Sequence, residues 1–293
     1  MRRIAVVFVL GIVASGVMPL APVAAGPLDG RIVYSDIYGQ SGIYSISPDG
    51  TGRTHLVTGS GVYRPKWFSD GTGISFIAEV GSGRRSRLEA IDVDGSNRRV
   101  LIAASQLPDG YRAISSYSWS PDGSQLVLGL YGLRFALFVS SPDGTSMTKI
   151  AGNASSPDWS SLDRIVASRG GRLITLDPDG GNLVKLATGT RSQDPSWSPD
   201  GTQIVFMCGR FSRADVCVVD ADGTGRVNLT SSDRLDWSPS WSPDGSRIIW
   251  SPEQNPRTAY GDLRRMRADG SGTTRITTTQ GIDEYEPDWI VLP

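Results

Sequence analysis

The sequence predicts an all-β fold of six four-stranded blades closed into a ring, and three observations carry that expectation. The first is a repeated stretch, clearest at Pro195-Ser196-Trp197-Ser198-Pro199-Asp200-Gly201 before the apolar run Ile204-Val205-Phe206-Met207. A tryptophan, a tight Pro-Asp-Gly turn and a β-branched run describe two strands of a hairpin. The second is its period. Copies stand at Trp67, Trp119, Trp159, Trp241 and Trp289, at spacings of about forty to fifty residues, the signature of a repeat architecture. The third is how the chain ends. Trp289-Ile290-Val291-Leu292 is a first strand with nothing after it, and the N-terminus supplies three strands whose first is missing. Five complete units and one shared between the termini make a six-bladed β-propeller, which removes exposed sheet edges.

In chain order, Arg31-Ile32-Val33-Tyr34-Ser35, Gly42-Ile43-Tyr44-Ser45-Ile46 and His55-Leu56-Val57-Thr58 are the strands of the shared unit, with a turn at Ser47-Pro48-Asp49-Gly50. The unit at Trp67 continues through Ile74 to Ala78 and Leu88 to Val93, and that at Trp119 through Leu126 to Leu130 and Ala136 to Ser140. In the unit at Trp159, Ser160-Ser161-Leu162-Asp163 replaces the first turn, while Asp177-Pro178-Asp179-Gly180 keeps the second. The last two units turn a second time at Asp220-Ala221-Asp222-Gly223 and Arg267-Ala268-Asp269-Gly270. Runs such as Ile204 to Cys208 and Val216 to Val219 are apolar without alternation, as in strands covered on both faces. A tryptophan at the head of each unit is expected in the core.

A hydrophobic content of 39% with 20% charged residues is ordinary for a globular chain. The net charge of -1 excludes the basic excess of a nucleic-acid binder. Residues 1–25 read as a cleaved secretory signal peptide: Arg2-Arg3, an apolar stretch from Ile4 to Leu20, then Val23-Ala24-Ala25. The propeller is expected over 26–293, secreted or periplasmic, without stable membrane insertion and as a monomer. Cys208 and Cys217 are the two cysteines. They flank an expected loop from Gly209 to Val216, which places them across a hairpin and favours a disulfide in an oxidising compartment.

The repeated Trp-Ser-Pro-Asp-Gly, then Ile-x-Phe, then x-x-Asp-Gly resembles the WD40-like repeat of TolB-type six-bladed propellers, over essentially the whole mature chain. The additional N-terminal α/β domain that precedes the propeller in TolB itself is not expected. The resemblance implies a binding protein that engages partners at the ring mouth.

The paired turn aspartates Asp92/Asp94, Asp177/Asp179 and Asp220/Asp222 lack the downstream bidentate carboxylate of a calcium loop and read as turn chemistry. Neither a metal nor a cofactor is expected. The single histidine, His55, has no nucleophile near it in sequence, and no Gly-x-Ser-x-Gly elbow is present. Function is therefore sought in the variable loops of one face. Loops between second and third strands carry Arg84, Arg85, Arg87, Arg134, Arg169, Arg172, Arg210, Arg213 and Arg257. Between-blade loops carry Asp109, Tyr111, Asp194, Asp236, Trp237, Asp283, Glu284, Tyr285 and Glu286. Arginine, tryptophan and tyrosine are hot-spot residue types. The expected site comprises Arg210, Arg213, Trp237, Asp194, Asp283, Glu286, Tyr111, Arg134 and Arg172, binding a protein or peptide without catalysis. The alternative is a lyase or hydrolase, or a binding protein, for an acidic polysaccharide, with Asp194 and Asp283 or Glu286 as a carboxylate pair.

Overall fold

Each unit folds into one four-stranded antiparallel sheet, and the six sheets follow one another around a central channel. The computed structural model describes residues 28–36, 41–81, 85–189, 191–210, 213–231, 235–253, 261–279 and 283–292. The expected signal peptide, Arg84 and Arg257 lie outside them. Blade 1 is the shared one: its inner strand is Glu284–Ile290, followed outward by Arg31–Asp36, Gly42–Ile46 and Thr54–Thr58. Ile32 pairs with Trp289, so the chain ends are joined by a ladder of backbone hydrogen bonds. Blades 2 to 6 begin with the inner strands Val62–Trp67, Tyr111–Trp119, Ala154–Trp159, Ser192–Trp197 and Leu235–Trp241.

The tryptophan closes its inner strand rather than opening it. Most residues assigned above to between-blade loops therefore belong to the innermost strands. The approach to each tryptophan hides this, because a proline two residues upstream breaks the alternation by which a strand is read. The second and third strands also reach further than their apolar runs. In blade 5 they span Gln203–Arg210 and Arg213–Asp220, so most of the expected loop after Cys208 is paired strand. Ladder hydrogen bonding carries these strands past the last buried side chain.

The core is divided by blade. Among the described residues, six hydrophobic clusters each join the facing sheets of two neighbouring blades. In one, Val166, Leu173 and Leu186 of blade 4 meet Trp197, Ile204, Phe206 and Val219 of blade 5. This accounts for the unalternating strands: both faces of a blade are buried against neighbours. Cys208 and Cys217 lie in the same cluster and are bonded, with their Cα atoms 5.9 Å apart. They stand diagonally, since Cys208 faces Asp215 and Cys217 faces Phe206 in the ladder.

The Asp-Gly turns hold themselves. Asp200 Oδ1 accepts the Thr202 N–H at 3.0 Å and the Ser198 hydroxyl at 2.6 Å, and the same bonds recur at Asp122 and Asp244. The glycine that follows is left-handed, with φ of 69° at Gly201 and 70° at Gly123, where a side chain would be strained. At Asp122 the Ser120 hydroxyl and the Ser124 N–H hold the carboxyl down at about 2.

Burying a tryptophan withdraws roughly 150–250 Å² from water, on the order of 4–6 kcal/mol. Trp197→Ala is therefore expected to cost about 3–5 kcal/mol in chemical denaturation. An unchanged midpoint would contradict its place between blades 4 and 5.

Candidate binding face and central channel

Two sets of polar side chains tie the blades together around the channel. Five inner strands read x-Pro-x-Trp, and the residue before the proline is left-handed: Arg64 (φ 54°), Ser156 (49°), Asp194 (45°), Ser238 (47°) and Glu286 (57°). Proline has no N–H to give the ladder, and the register shifts there. A left-handed L-residue costs about 1–2 kcal/mol. Where it is offset, the freed N–H turns to a neighbouring blade: Arg64 N–H donates to Glu286 Oε2 at 2.7 Å, and Ser156 N–H to Ser116 Oγ at 3.1 Å. Blade 3 has Tyr117 in place of proline and no left-handed residue in its inner strand. Its hydroxyl donates to Arg64 O at 3.0 Å and lies 2.9 Å from the Ser75 hydroxyl. Burial pushes that phenol well above its ordinary pKa.

The second set uses the residue just before the tryptophan in blades 1, 3 and 4. Asp288 Oδ2 accepts the Trp67 N–H at 2.9 Å, Asp158 Oδ2 accepts the Trp197 N–H at 2.8 Å, and Ser118 Oγ accepts the Trp159 N–H at 3.2 Å. Asp288 Oδ1 also holds Lys66 Nζ at 3.1 Å. Burial pulls the Lys66 pKa down, but the carboxylates of Asp288 and Asp158 outweigh it and leave it above its ordinary value. Burial lifts the Asp158 carboxyl.

Arg64 fills the channel itself. Its guanidinium lies 3.1 Å from Glu286 of blade 1 and 3.6 Å from Asp194 of blade 5, on the opposite side of the ring. The space left among these residues is about 60 Å³, room for a water or two.

Of the expected site residues, the structure brings Asp194 and Glu286 together through Arg64. Asp283 stands apart; its Oδ1 accepts the Gly261 N–H at 2.6 Å, and burial raises its pKa. Tyr111 packs edge-on to Phe138 with ring centroids 5.0 Å apart. Trp237 is half-buried in the inner strand of blade 6. Arg210 and Arg213 are exposed and face each other across the end of a hairpin. Arg134 and Arg172 are exposed on blades 3 and 4. Sequence reasoning missed Arg64, Lys66, Asp158 and Asp288. Their signal was present, since each stands within the x-Pro-x-Trp approach, but it was read as turn grammar. Among the described residues, no group of three or more His, Cys, Asp or Glu side chains is arranged to hold a metal.

A family model for the TolB β-propeller domain matches residues 112–292. An uncharacterized protein of Agrobacterium fabrum is 30% identical over 228 residues, which cover 73% of this chain and 71% of that protein. The chain belongs to the TolB β-propeller family. The Tol-Pal system protein TolB of Anaeromyxobacter dehalogenans is 31% identical over 43% of this chain, a match that spans 29% of that protein. The crystal structure of TolB from Acinetobacter baumannii superposes with a TM-score of 0.76 at 20% identity, covering 90% of this chain and 67% of that one.

In this TolB-family propeller the inner strands also carry a titrating group. Glu284 is buried, and its Oε2 accepts the Leu263 N–H at 3.1 Å and the Thr277 hydroxyl, while Oε1 accepts the Thr279 hydroxyl at 3.1 Å. These bonds stitch blade 1 to blade 6. Burial raises its pKa from 4.5 to about 7, and the nearby Asp262 carboxylate adds to the rise. The unfolded chain therefore releases this proton near 4.5 and the folded chain near 7, so stability falls as pH rises between them and the penalty is complete above 7. Glu284→Gln keeps an oxygen for Leu263 and Thr277 and turns its amide to the Thr279 hydroxyl.

Two measurements follow from this geometry. Asp288→Ala strips both Lys66 and the Trp67 N–H of their acceptor, at an expected loss of about 2–3 kcal/mol by denaturant titration. Thermal melts across pH should show Glu284→Gln stabilising the protein by on the order of 3 kcal/mol at pH 8 and little at pH 4.5; an equal effect at both would refute the buried-carboxylate account.

Proposed function

We propose that this chain is a non-catalytic binding protein of the cell envelope, exported and soluble, which engages a protein or peptide partner on the loop-bearing face around the ring mouth. The observation that carries this reading is the filled channel. Arg64 joins Asp194 and Glu286 across it, and about 60 Å³ remains, well below the 300–1,000 Å³ of a small-molecule pocket. A guanidinium sits where a glycosidase would need water or a sugar between its two carboxyl groups. Binding is therefore assigned to the surface around the mouth, where Arg134, Arg172, Arg210 and Arg213 are exposed. Tyr111 and Trp237 add half-buried aromatic surface, and Asp283 a carboxylate. Arginines of this kind take carboxylates through bidentate bonds.

Two further features support the envelope setting. The arginine-led apolar N-terminal stretch reads as an export signal, and a disulfide suits an oxidising compartment. The Anaeromyxobacter relative is named as a Tol-Pal system protein, and a role within a protein assembly is proposed here by that kinship.

Crosslinking with mass spectrometry on intact cells tests the reading. A single protein captured by the native chain, and lost from Arg210→Ala/Arg213→Ala or from Trp237→Ala, is the expected outcome. A copurifying sugar polymer with no protein partner would overturn it.

A further inference from the structure

Six arginines of this protein are committed to ion pairs within it. Arg64, Arg87, Arg98, Arg99, Arg164 and Arg275 each hold a carboxylate. One corner gathers several cations that are not so committed. Where blades 3 and 4 meet on the loop-bearing face, Arg134, Arg169, Arg172, Lys185 and Arg191 form no ion pair with any described residue. The chain as a whole carries a net charge of -1, so this concentration is local.

The backbone holds these cations together. Arg169 and Arg172 are paired across a two-residue hairpin whose turn, Gly170-Gly171, is left-handed at both positions, φ 59° and 74°. Such a turn leaves the flanking residues directly opposite, and like charges so placed oppose each other. Arg191 is drawn to the same turn, because the next residue, Ser192, donates its N–H to Gly171 O at 3.0 Å. Arg134 and Phe135 of blade 3 line one hollow with Gly170 and Gly171, of about 350 Å³. Arg169, Arg172 and Lys185 line a second beside it, of about 380 Å³.

Phe135 lines the first hollow among mostly polar residues, and Leu133 stands two residues before it. Leu133, at the tip of the blade 3 hairpin, is 100% exposed and Phe135 40% exposed. The Phe135 ring packs against Tyr131 at 5.0 Å, and the Arg112 guanidinium covers the other ring at 4.8 Å. A wholly exposed leucine held beside unpaired arginines matches a ligand that brings both carboxylates and a bulky apolar group. Protein segments carry both; a uronic acid polymer carries the carboxylates but no aliphatic side chain for Leu133.

We propose that this corner is the seat of an acidic protein segment bearing a large apolar residue, its carboxylates bridged by Arg134, Arg169 and Arg172 and its apolar side chain laid on Leu133 and Phe135. The proposal rests on the binding reading above and specifies its partner's chemistry. It requires no change in the channel.

The test is fluorescence anisotropy with a labelled peptide, Glu-Glu-Phe-Phe-Glu-Glu, against the native protein and against the triple variant Arg134→Glu/Arg169→Glu/Arg172→Glu. Arg134 and Arg172 are exposed and Arg169 is half-buried, and circular dichroism melts would establish that the variant folds. Expected are saturable binding that weakens with salt, a loss of at least about tenfold, or 1.4 kcal/mol, in the triple variant, and a smaller loss in Leu133→Ala/Phe135→Ala. Equal affinity in native and triple-variant protein would overturn the proposal. So would polygalacturonate binding that the triple variant loses while the peptide does not bind at all. The two readings fail separately. Partner capture on cells that survives in the triple variant, with no peptide binding, removes this inference alone, whereas absence of any captured protein removes the reading beneath it.

Discussion

The fold depends on hydrogen bonds passed from blade to blade at the channel wall. A propeller blade satisfies its own backbone groups through its ladders, so the sheets by themselves hold each other only through apolar faces. Those faces give cohesion without angular precision. Here the residues one and three before the tryptophan supply direction: Asp288 and Asp158 catch the N–H of a tryptophan on the next blade, and Glu286 catches that of Arg64. The bonds set the offset between adjacent inner strands, and the six apolar clusters then close on that offset.

The same constraint explains why left-handed backbone is tolerated at five positions. Proline removes a ladder donor, and the residue before it turns out of the strand. At Arg64 and Ser156 the turned N–H finds a neighbour's oxygen. Blade 3 solves the problem differently: Tyr117 replaces proline, and its hydroxyl supplies the cross-blade bond that the backbone no longer makes. With the wall closed in this way and Arg64 laid between Asp194 and Glu286, the ring is a rigid platform, and the recognition chemistry proposed for it lies outward at the hairpin ends.

Those hairpin ends vary more than the opposite turns do. In blades 2, 3, 5 and 6 the turns after the tryptophan are built alike, each aspartate accepting an N–H two residues on. On the other face the tips differ blade by blade: a diglycine turn between arginines in blade 4, an exposed leucine in blade 3 and two facing arginines at the end of a blade 5 hairpin. Uniform turns serve the scaffold. Unequal tips give the face its electrostatic asymmetry.

The sequence by itself determined the architecture. Period, turn chemistry and an orphan strand at each end are local properties, and together they admit one closed ring; even the cysteine pair was legible, because hairpin partners are near in sequence. It did not determine which polar residues face the channel. Asp194, Trp237 and Glu286 read as loop residues because a proline and a bulge interrupt the two-residue alternation just upstream of each tryptophan. Arg64 and Asp194 are separated by three blades of chain, and only ring closure sets one across from the other. Likewise the arginines of blades 3 and 4 are ordinary surface residues until the tertiary structure decides which have a carboxylate within reach. Ion pairing is a matter of a few ångströms between distant segments, and no pattern along one strand encodes it.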